Sequence, residues 1–315
     1  MKKTIILLGP TASGKTDLSF SCLNALKGQH SFTLINADSL QIYRDLEILS
    51  ARPSNEELKH HDHALFGTET GDKNFSVGDW CTKAKHHIEQ AFSQGRTPFL
   101  VGGTGLYIDR LLQGLSFIPD IPQEVIDKAE DNLKLWGHQK FFQELCALDP
   151  LCQQIEPQNT QRLLRCWSII THTGRSFYDW HQEKVSPFPY PYLLILLMPP
   201  RDKLYQNCDK RFDHMIKAGA LFEAAQLYHK KDHIKNPTLL KALGIPQLHD
   251  YLMGKCSLQQ AKEKAQQITR NYAKRQLTWF RNKTLPICQK HTLLINNPLQ
   301  DQSIVHQNIK HFLES

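Results

Sequence analysis

Residues 9–16 read Gly-Pro-Thr-Ala-Ser-Gly-Lys-Thr, a complete match to the phosphate-binding pattern Gly-x4-Gly-Lys-[Ser/Thr], here called the P-loop. The pattern lies directly after a short apolar run and directly before a stretch that reads as a helix. Glycines let backbone N–H groups converge on phosphate oxygens, and the N-terminus of the following helix adds positive potential. The lysine contributes a full charge, and the hydroxyl after it can ligate Mg²⁺. The predicted phosphate-binding residues are therefore Gly9, Pro10, Thr11, Ala12, Ser13, Gly14, Lys15 and Thr16.

A carboxylate follows the second β-prone run, which covers residues 31–37. In a parallel sheet Asp38 would lie beside the P-loop, where a carboxylate can hold Mg²⁺ through water or act as a general base. Asp and Ser also cap helices well, so Asp38 and Ser39 could equally begin a helix. The residues alone leave both interpretations open.

A glycine-rich turn follows the third run, residues 98–101, and reads Gly102-Gly103-Thr104-Gly105. Glycines allow close approach of the backbone to a ligand, and Thr104 supplies a hydroxyl. In open α/β sheets, ligands bind outside the carboxyl ends of the strands. We therefore expect the P-loop, Asp38 and Thr104 to form one shared site.

The histidine-rich segment 60–63, His-His-Asp-His, imitates a metal cluster. Consecutive side chains rarely point at one ion, and no second group of ligands stands out. We favour a loop or strand start with one or two hydrogen-bonded histidines.

Two basic stretches could contact an anionic polymer. In residues 161–165, Gln-Arg-Leu-Leu-Arg, the two arginines share one helix face and Leu163 turns towards a core. In residues 269–281, basic side chains alternate with Tyr272 and Trp279. Such interleaving suits a phosphodiester backbone, although either stretch alone is more typical of a solvated helix face.

Short apolar runs alternate with helical stretches, which indicates a parallel α/β sheet. We predict a P-loop parallel sheet flanked by helices, with a helical insertion domain at residues 116–190 and a catalytic core formed by residues 1–115 and 191–315. The further predicted strands cover residues 192–198, a continuous apolar run typical of a strand buried on both faces, and Thr292–Ile295.

The composition is that of an ordinary globular chain, with 315 residues, 40% hydrophobic residues and a net charge of +7. Its eight cysteines form no Cys-x-x-Cys pair, which favours reduced thiols in a cytoplasmic protein. The N-terminal apolar run stops at Gly9, too early for a signal peptide. We expect no membrane span, because no stretch of about 18 apolar residues exists.

Taken together, these motifs resemble the tRNA dimethylallyltransferases, also called isopentenyl tRNA transferases. The matching segments occur in family order and spacing over nearly the whole chain: 9–16, 37–43, 60–61, 101–107, 161–165 and 269–281. The combination of the P-loop, Asp-Ser-x-Gln and Gly-Gly-Thr-Gly-Leu-Tyr is far more specific than any one of them. The family transfers a dimethylallyl group from its diphosphate to N6 of an adenosine beside the anticodon.

The resemblance implies a role for each predicted site residue. The P-loop would hold the diphosphate with Mg²⁺ near Thr16, Asp38 would be the general base, and Thr104 would contact the diphosphate or the reacting centre. The implied partners are tRNA and dimethylallyl diphosphate. We expect the protein itself to be a monomer. The residues implied to contact tRNA are Asp38, Ser39, Leu40, Gln41 and Thr104 at the site, and Gln161, Arg162, Leu163, Leu164 and Arg165 in the insertion.

The chain departs from the family pattern in a few places. A typical member has an arginine about six residues after Arg201, and here that position is Asn207. Arg201 or Arg211 could then reach the diphosphate, and the sequence does not decide between them. Where the family has lysine before a proline, this chain has Arg52, which keeps the charge with a different shape.

Three other functions share parts of this pattern. A small-molecule P-loop kinase would transfer phosphate from ATP. An adenylate isopentenyltransferase would prenylate a free nucleotide, although the two basic stretches favour a polynucleotide acceptor. An RNA-binding NTPase switch would form no covalent product.

Overall fold

The computed structural model describes residues 2–116, 118–183, 186–288 and 292–315. The chain divides into two compact units. The core unit comprises Met1–Leu112 and Phe188–Ser315, and the helical unit comprises Gln113–Pro187. The boundaries predicted from the sequence lie at 115/116 and 190/191, and the roles assigned to the two parts stay predictions.

The core unit is built on a parallel sheet of six strands in the order β3-β2-β4-β1-β5-β6. Neighbouring strands pair in parallel throughout this sheet, which confirms the predicted fold class. The strands are β1 (Thr4–Leu8), β2 (Phe32–Asn36), β3 (Asp62–Ala64), β4 (Thr97–Gly102), β5 (Tyr192–Leu197) and β6 (Thr292–Ile295).

The central strand β1 is buried along its whole length, as its unbroken apolar sequence requires. It pairs with β4 on one side, where Leu8 lies opposite Gly102, and with β5 on the other. Because β2 pairs with the far side of β4, the carboxyl ends of β2, β4 and β1 lie next to one another. The loops that follow these three strands therefore meet at one edge of the sheet.

Helices cover both faces of this sheet. On one face, α1 and α14 pack together through Leu18, Cys22, Val305 and Ile309 over apolar side chains of the strands. The helices of the core unit are α1 (Lys15–Leu26), α2 (Asn55–Leu58), α3 (Val77–Ser93), α4 (Gly105–Gln113), α8 (Arg201–Lys217), α9 (Ala220–His229), α10 (Pro237–Leu240), α11 (Ile245–Leu252), α12 (Leu258–Trp279), α13 (Leu285–Cys288) and α14 (Gln302–Glu314). A π-helical turn, Phe280–Thr284, continues α12.

The helical unit has a core of its own. Its helices are α5 (Gln123–Leu148), α6 (Thr160–Thr173) and α7 (Phe177–Gln182), with a 3-10 turn at Pro150–Gln154. The rings of Phe141 of α5 and Trp167 of α6 pack in a tilted arrangement with their centroids 4.6 Å apart. The buried carboxylate of Asp149 accepts hydrogen bonds from the Ser176 hydroxyl (2.7 Å) and the Leu151 N–H (3.1 Å). It thereby joins the end of α5 to the start of α7.

In the described part of the chain, no helix is both long enough and apolar enough to cross a membrane.

Candidate active site

The P-loop connects β1 to α1 through backbone that favours small residues. Gly14, directly before α1, has φ of 83°, and Ala12 has φ of 61°, both in the left-handed region. The Ser13 hydroxyl is buried and has no hydrogen-bond partner among the described residues. A buried hydroxyl without a partner costs stability and is available to a ligand oxygen or a cation.

Lys15 is the first residue of α1 and is almost fully buried, with 7% of its surface exposed. Its Nζ donates to the carbonyl of Pro10 at 3.3 Å. Burial lowers the pKa of Lys15 to about 8, the carboxylate of Asp38 raises it in part, and the positive charge of Arg211 lowers it. The positive charge of Lys15 is therefore poorly solvated and would pair readily with an anion bound in this site.

A cavity of about 880 Å³ opens in front of the P-loop and is rich in cationic side chains. Arg211 lines it, and burial lowers the pKa of its guanidinium. Besides Ala12–Leu18 of the P-loop and α1, its basic lining residues are Arg52, Lys203, Lys210, Arg211 and His214. This excess of positive charge suits a ligand with two phosphate groups.

The two arginines that the sequence leaves open lie in different surroundings. Arg201 is exposed, and its Nε donates to the Tyr205 hydroxyl at 2.8 Å. Arg211 lies in the cavity with Lys15. Asn207, in the position of the missing family arginine, donates from Nδ2 to the Ala12 carbonyl at 3.3 Å. It therefore supports the P-loop backbone where the family has a charge.

Asp38 stands at the end of β2 with one carboxylate oxygen engaged. Its Oδ1 accepts from the Leu40 N–H at 3.0 Å, and its own N–H donates to Asn36 Oδ1 at 2.9 Å. Oδ2 accepts no hydrogen bond from the described residues, and within them no helix begins between Asp38 and Asn55. Asp38 therefore closes a short turn rather than capping a helix, and one oxygen remains available as a proton acceptor.

The glycine-rich turn after β4 lies directly against Asp38. A Cβ at position 102 would collide with the backbone of Ala37, and one at position 103 would lie 3.3 Å from Asp38 Oδ2. The Thr104 hydroxyl accepts from the Ser39 N–H at 3.0 Å. Since that oxygen is acting as an acceptor, its proton is left to donate to a ligand. The glycines thus permit the close approach of two strand-end loops and Thr104 joins them.

Gln41 is buried and is used within its own loop. Its Nε2 donates to the carbonyls of Ala51 (2.9 Å) and Ser50 (3.3 Å). Ser39 and Leu40 are half-buried. The predicted contact of Gln41 with a substrate base stays a prediction, and its side-chain amide is engaged with the backbone in this structure.

In the helical unit, the segment 161–165 forms the first turns of α6. Gln161, Arg162 and Arg165 are exposed and Leu164 is half-buried, whereas Leu163 is fully buried in the core of the unit. The Arg162 guanidinium lies 5.3 Å from the ring centre of Phe177 and 5.6 Å from that of Tyr178. Leu163 can therefore serve only to orient the helix that presents the arginines.

The outer face of α12 forms a second concave surface. Lys274, Arg275 and Trp279, with Lys283 of the π-helical turn, line a groove of about 440 Å³. Arg270 does not join them, because it forms an ion pair with Asp209. Trp279 Nε1 donates to the buried carboxylate of Asp109 at 2.8 Å, which fixes the orientation of its ring.

The histidine-rich segment lies at the start of β3, where His63 Nδ1 is 2.9 Å from the His61 carbonyl oxygen. Among the described residues, no group of three or more His, Cys, Asp or Glu side chains could hold a metal ion.

Sequence reasoning missed one contact at this site. Gln276 of α12 hydrogen-bonds to the backbone of both the P-loop and the glycine-rich turn. Gln276 is a polar residue on the inner face of a basic helix, and this could have drawn attention to it. Its hydrogen-bond partners, however, lie far away in the sequence.

Comparison with known proteins assigns the family. A model described as IPP transferase matches residues 41–283, well over half of the chain, and one described as isopentenyl transferase matches residues 2–68. The chain is 39% identical to a tRNA dimethylallyltransferase of Nitrobacter hamburgensis, over 88% of this chain and 87% of that protein. It is also 39% identical to one of Rhodospirillum rubrum, over 90% and 86% of the two chains.

Solved structures agree with this assignment. The tRNA isopentenylpyrophosphate transferase of Bacillus halodurans superposes with a TM-score of 0.69 at 31% identity, covering 100% of this chain and 97% of that one. A eukaryotic dimethylallyltransferase shares the fold with a TM-score of 0.80 at 24% identity, over 94% of this chain and 74% of that one. This chain therefore belongs to the IPP transferase family, the enzymes known as tRNA dimethylallyltransferases.

Proposed function

We propose that this chain transfers the dimethylallyl group of dimethylallyl diphosphate to N6 of an adenosine adjacent to the anticodon of tRNA, releasing diphosphate. The observation that carries the proposal is the arrangement of strand ends at one edge of the sheet. A cavity lined by basic side chains opens at the end of β1, and a carboxylate with one available oxygen lies at the end of β2, on the far side of β4. Family membership supplies the reaction class.

The cavity would bind and stabilise the leaving group. As the bond between the allylic carbon and the diphosphate oxygen breaks, negative charge builds up on the diphosphate. Lys15, Arg211 and the N–H groups at the start of α1 are held in place before the reaction, so little reorganisation is needed. The positive charge that develops on the dimethylallyl group is delocalised over its double bond.

The residues of the P-loop fit a magnesium ion held mainly by the substrate. Mg²⁺ prefers oxygen ligands and usually keeps several waters while binding substrate phosphates. The Ser13 hydroxyl, which has no partner in the described structure, and the Thr16 hydroxyl, which lines the cavity, are the oxygens this chain could offer. When bound, Mg²⁺ would neutralise part of the charge on the diphosphate.

Asp38 would serve as the general base. The adenine amine is a poor nucleophile because its lone pair is delocalised into the ring. As the N6–carbon bond forms, the nitrogen becomes positively charged and one of its protons moves to Asp38 Oδ2. The contact between Oδ1 and the Leu40 N–H holds the carboxylate in position for this transfer.

Thr104 and the residues after Asp38 would receive the target base. The base must leave its stack before it can reach a carboxylate at the edge of a sheet. The Thr104 hydroxyl is held by the Ser39 N–H and can donate to the diphosphate or to the base. Ser39, Leu40 and Gln41 belong to the same short loop and would line the entrance for the nucleotide.

Two basic surfaces would contact the rest of the tRNA. One is the start of α6, with Arg162 and Arg165 exposed. The other is the groove on α12, where lysine and arginine side chains line the surface together with Trp279. An indole ring beside lysine and arginine provides a stacking surface for a base and charges for its phosphates. We assign tRNA contact to the helical unit and to this groove together.

The remaining assignments concern the state of the protein. We propose that it acts as a monomer. We place it in the cytoplasm because all eight cysteines are free thiols, six of them buried, as suits a reducing compartment.

Mass spectrometry of tRNA nucleosides tests the proposed function directly. After incubation with tRNA and dimethylallyl diphosphate, an adenosine heavier by one dimethylallyl group should appear, and digestion should place it beside the anticodon. Parallel reactions use ATP with small acceptors, and AMP in place of tRNA. Phosphate transfer without prenylation would favour a kinase, and much faster prenylation of AMP would favour a free-nucleotide enzyme; either result would contradict the proposal.

A further inference from the structure

Gln276 uses both ends of its side-chain amide to join two loops of the candidate site. Its Oε1 accepts from the Thr11 N–H of the P-loop at 2.8 Å, and its Nε2 donates to the Gly103 carbonyl at 2.8 Å. The residue is buried, with 7% of its surface exposed. One glutamine on α12 therefore connects the loop after β1 to the loop after β4.

The amide lies beside the groups to which the proposed chemistry is assigned. A Cβ at position 103 would be 2.7 Å from Gln276 Nε2 and 3.3 Å from Asp38 Oδ2. On the other side, the residues lining the phosphate cavity begin at Ala12, directly after the N–H that Gln276 engages. Gln276 therefore does not occupy the backbone N–H groups that follow Thr11 in the P-loop, and these groups would bind the phosphates.

The helix that carries Gln276 is itself held firmly. Ala273 and Leu277, its neighbours on the inner face of α12, pack with Leu204 and Cys208 of α8, and Ala12 of the P-loop packs against the same cluster. At the end of α12, Trp279 is hydrogen-bonded to the buried Asp109. The amide of Gln276 is therefore presented from a rigid element, which is what a positioning residue requires.

We propose that Gln276 is a positioning residue that sets the distance between the diphosphate on the P-loop and the base beside Asp38. This inference rests on the proposed function. The allylic carbon must lie between its leaving group and the adenine nitrogen, close to both, and a misplacement of about 1 Å can cost about 100-fold in rate. Glutamine suits the position because it offers one acceptor and one donor at the same reach.

The test compares Gln276→Met with Gln266→Met. Gln266 lies on the same helix and its side-chain amide also makes two hydrogen bonds, but away from both loops: Nε2 donates to the Asp209 carbonyl and to the Asp213 carboxylate. We expect Gln276→Met to lower kcat by about 100-fold while the KM for dimethylallyl diphosphate changes by less than about threefold. We also expect more dimethylallyl alcohol per prenylated tRNA, because a misplaced base lets water capture the cation.

Gln276→Asn is the second variant. It keeps a buried amide and so runs less risk of misfolding, but it is one methylene too short to reach both loops. It should show the same fall in kcat and the same rise in alcohol. Hydrogen exchange adds a structural measurement, since the Thr11 amide should exchange faster in both variants than in the wild type.

Three outcomes separate the possibilities. Wild-type protein that prenylates no tRNA would remove the proposed function and this inference with it. An active wild type with Gln276→Asn and Gln276→Met no slower than Gln266→Met would overturn only the role of Gln276. A loss confined to the KM for dimethylallyl diphosphate, with no extra alcohol, would also overturn it, because Gln276 would then act on donor binding alone.

Discussion

Two groups of cationic side chains, one in each unit of this chain, lie in opposite surroundings. In the core unit, Lys15 of the P-loop is buried, and desolvation lowers its pKa to about 8. In the helical unit, Arg162 and Arg165 are exposed on α6, and Arg162 lies over aromatic rings. Both are proposed to meet phosphate groups, one on a small diphosphate and the other on a polynucleotide.

This difference in burial determines whether each charge responds to pH or to salt concentration. A buried charge acts in a region of low dielectric constant, so dissolved salt screens its interactions little. A buried lysine with a lowered pKa can, however, lose its charge when the pH rises. An exposed arginine keeps its charge at every physiological pH, and salt screens its interaction with phosphates. We therefore expect chemistry in the core unit to respond to pH, and tRNA affinity in the helical unit to respond to ionic strength.

The largest effect should come from the proposed base. Asp38→Asn keeps the shape of the side chain and removes its ability to take a proton, so kcat should fall by about 10³-fold. Affinity for tRNA, measured by filter binding, should stay within about twofold of the wild type. Asp72→Asn, at an exposed carboxylate, is the matched control. Full turnover in Asp38→Asn would remove Asp38 as the base.

A smaller loss is expected at the P-loop. Lys15→Met removes the buried charge but keeps an unbranched chain, and kcat/KM for dimethylallyl diphosphate should fall by about 10²-fold. The affinity for tRNA should be nearly unchanged, because the helical unit and the groove on α12 would provide it. Lys217→Met, at an exposed lysine near the end of α8, provides the comparison. Equal losses in the two variants would contradict the assignment of Lys15 to the diphosphate.

The pH dependence should be visible in the same enzyme assay. Lys15 is protonated below its pKa of about 8 and neutral above it. Because the charged form binds diphosphate, the KM for dimethylallyl diphosphate should rise about tenfold between pH 7 and pH 9. Lys15→Met should show a flat profile over this range. A KM that falls as the pH rises would show that the neutral lysine is the binding form.

The smallest effect is expected in the helical unit. Replacing Arg162 and Arg165 together by alanine should raise the KM for tRNA about fivefold at low salt, with kcat unchanged. The slope of log affinity against log salt concentration should become shallower by about two, because each arginine would neutralise one phosphate. Lys134→Ala, on exposed α5 surface, should leave the slope unchanged. An unaltered slope in the double variant would remove these arginines from the tRNA interface.

Much of the fold follows from local sequence signals. The predicted bounds of β6 agree with the structure to the residue, and β1 and α1 lie where the apolar run before the P-loop and the helical stretch after it predict them. The meeting of the loops after β1, β2 and β4 also follows, since parallel strands place their carboxyl ends at one edge. For β3 the sequence indicates no more than a loop or strand start at residues 60–63, because the strand has three residues and only one of them is buried.

The details of the site could not be predicted in the same way. Arg201 and Arg211 look alike in the sequence, and only the packing of α8 shows which one lines the cavity. Gln276 and Thr11 are separated by 265 positions, so no local pattern indicates their hydrogen bond. Local periodicity predicts which face of a helix is buried, whereas a buried polar partner depends on which loop the fold brings against it.

Gly105 and Trp279 lie so close together that a Cβ on the glycine would collide with the indole ring. The same tryptophan lines the groove proposed for tRNA and ends the helix that carries Gln276. For protein engineering, position 105 accepts a side chain only if the residue at position 279 is changed with it. A library that varies position 105 while keeping tryptophan at position 279 would recover little beyond glycine.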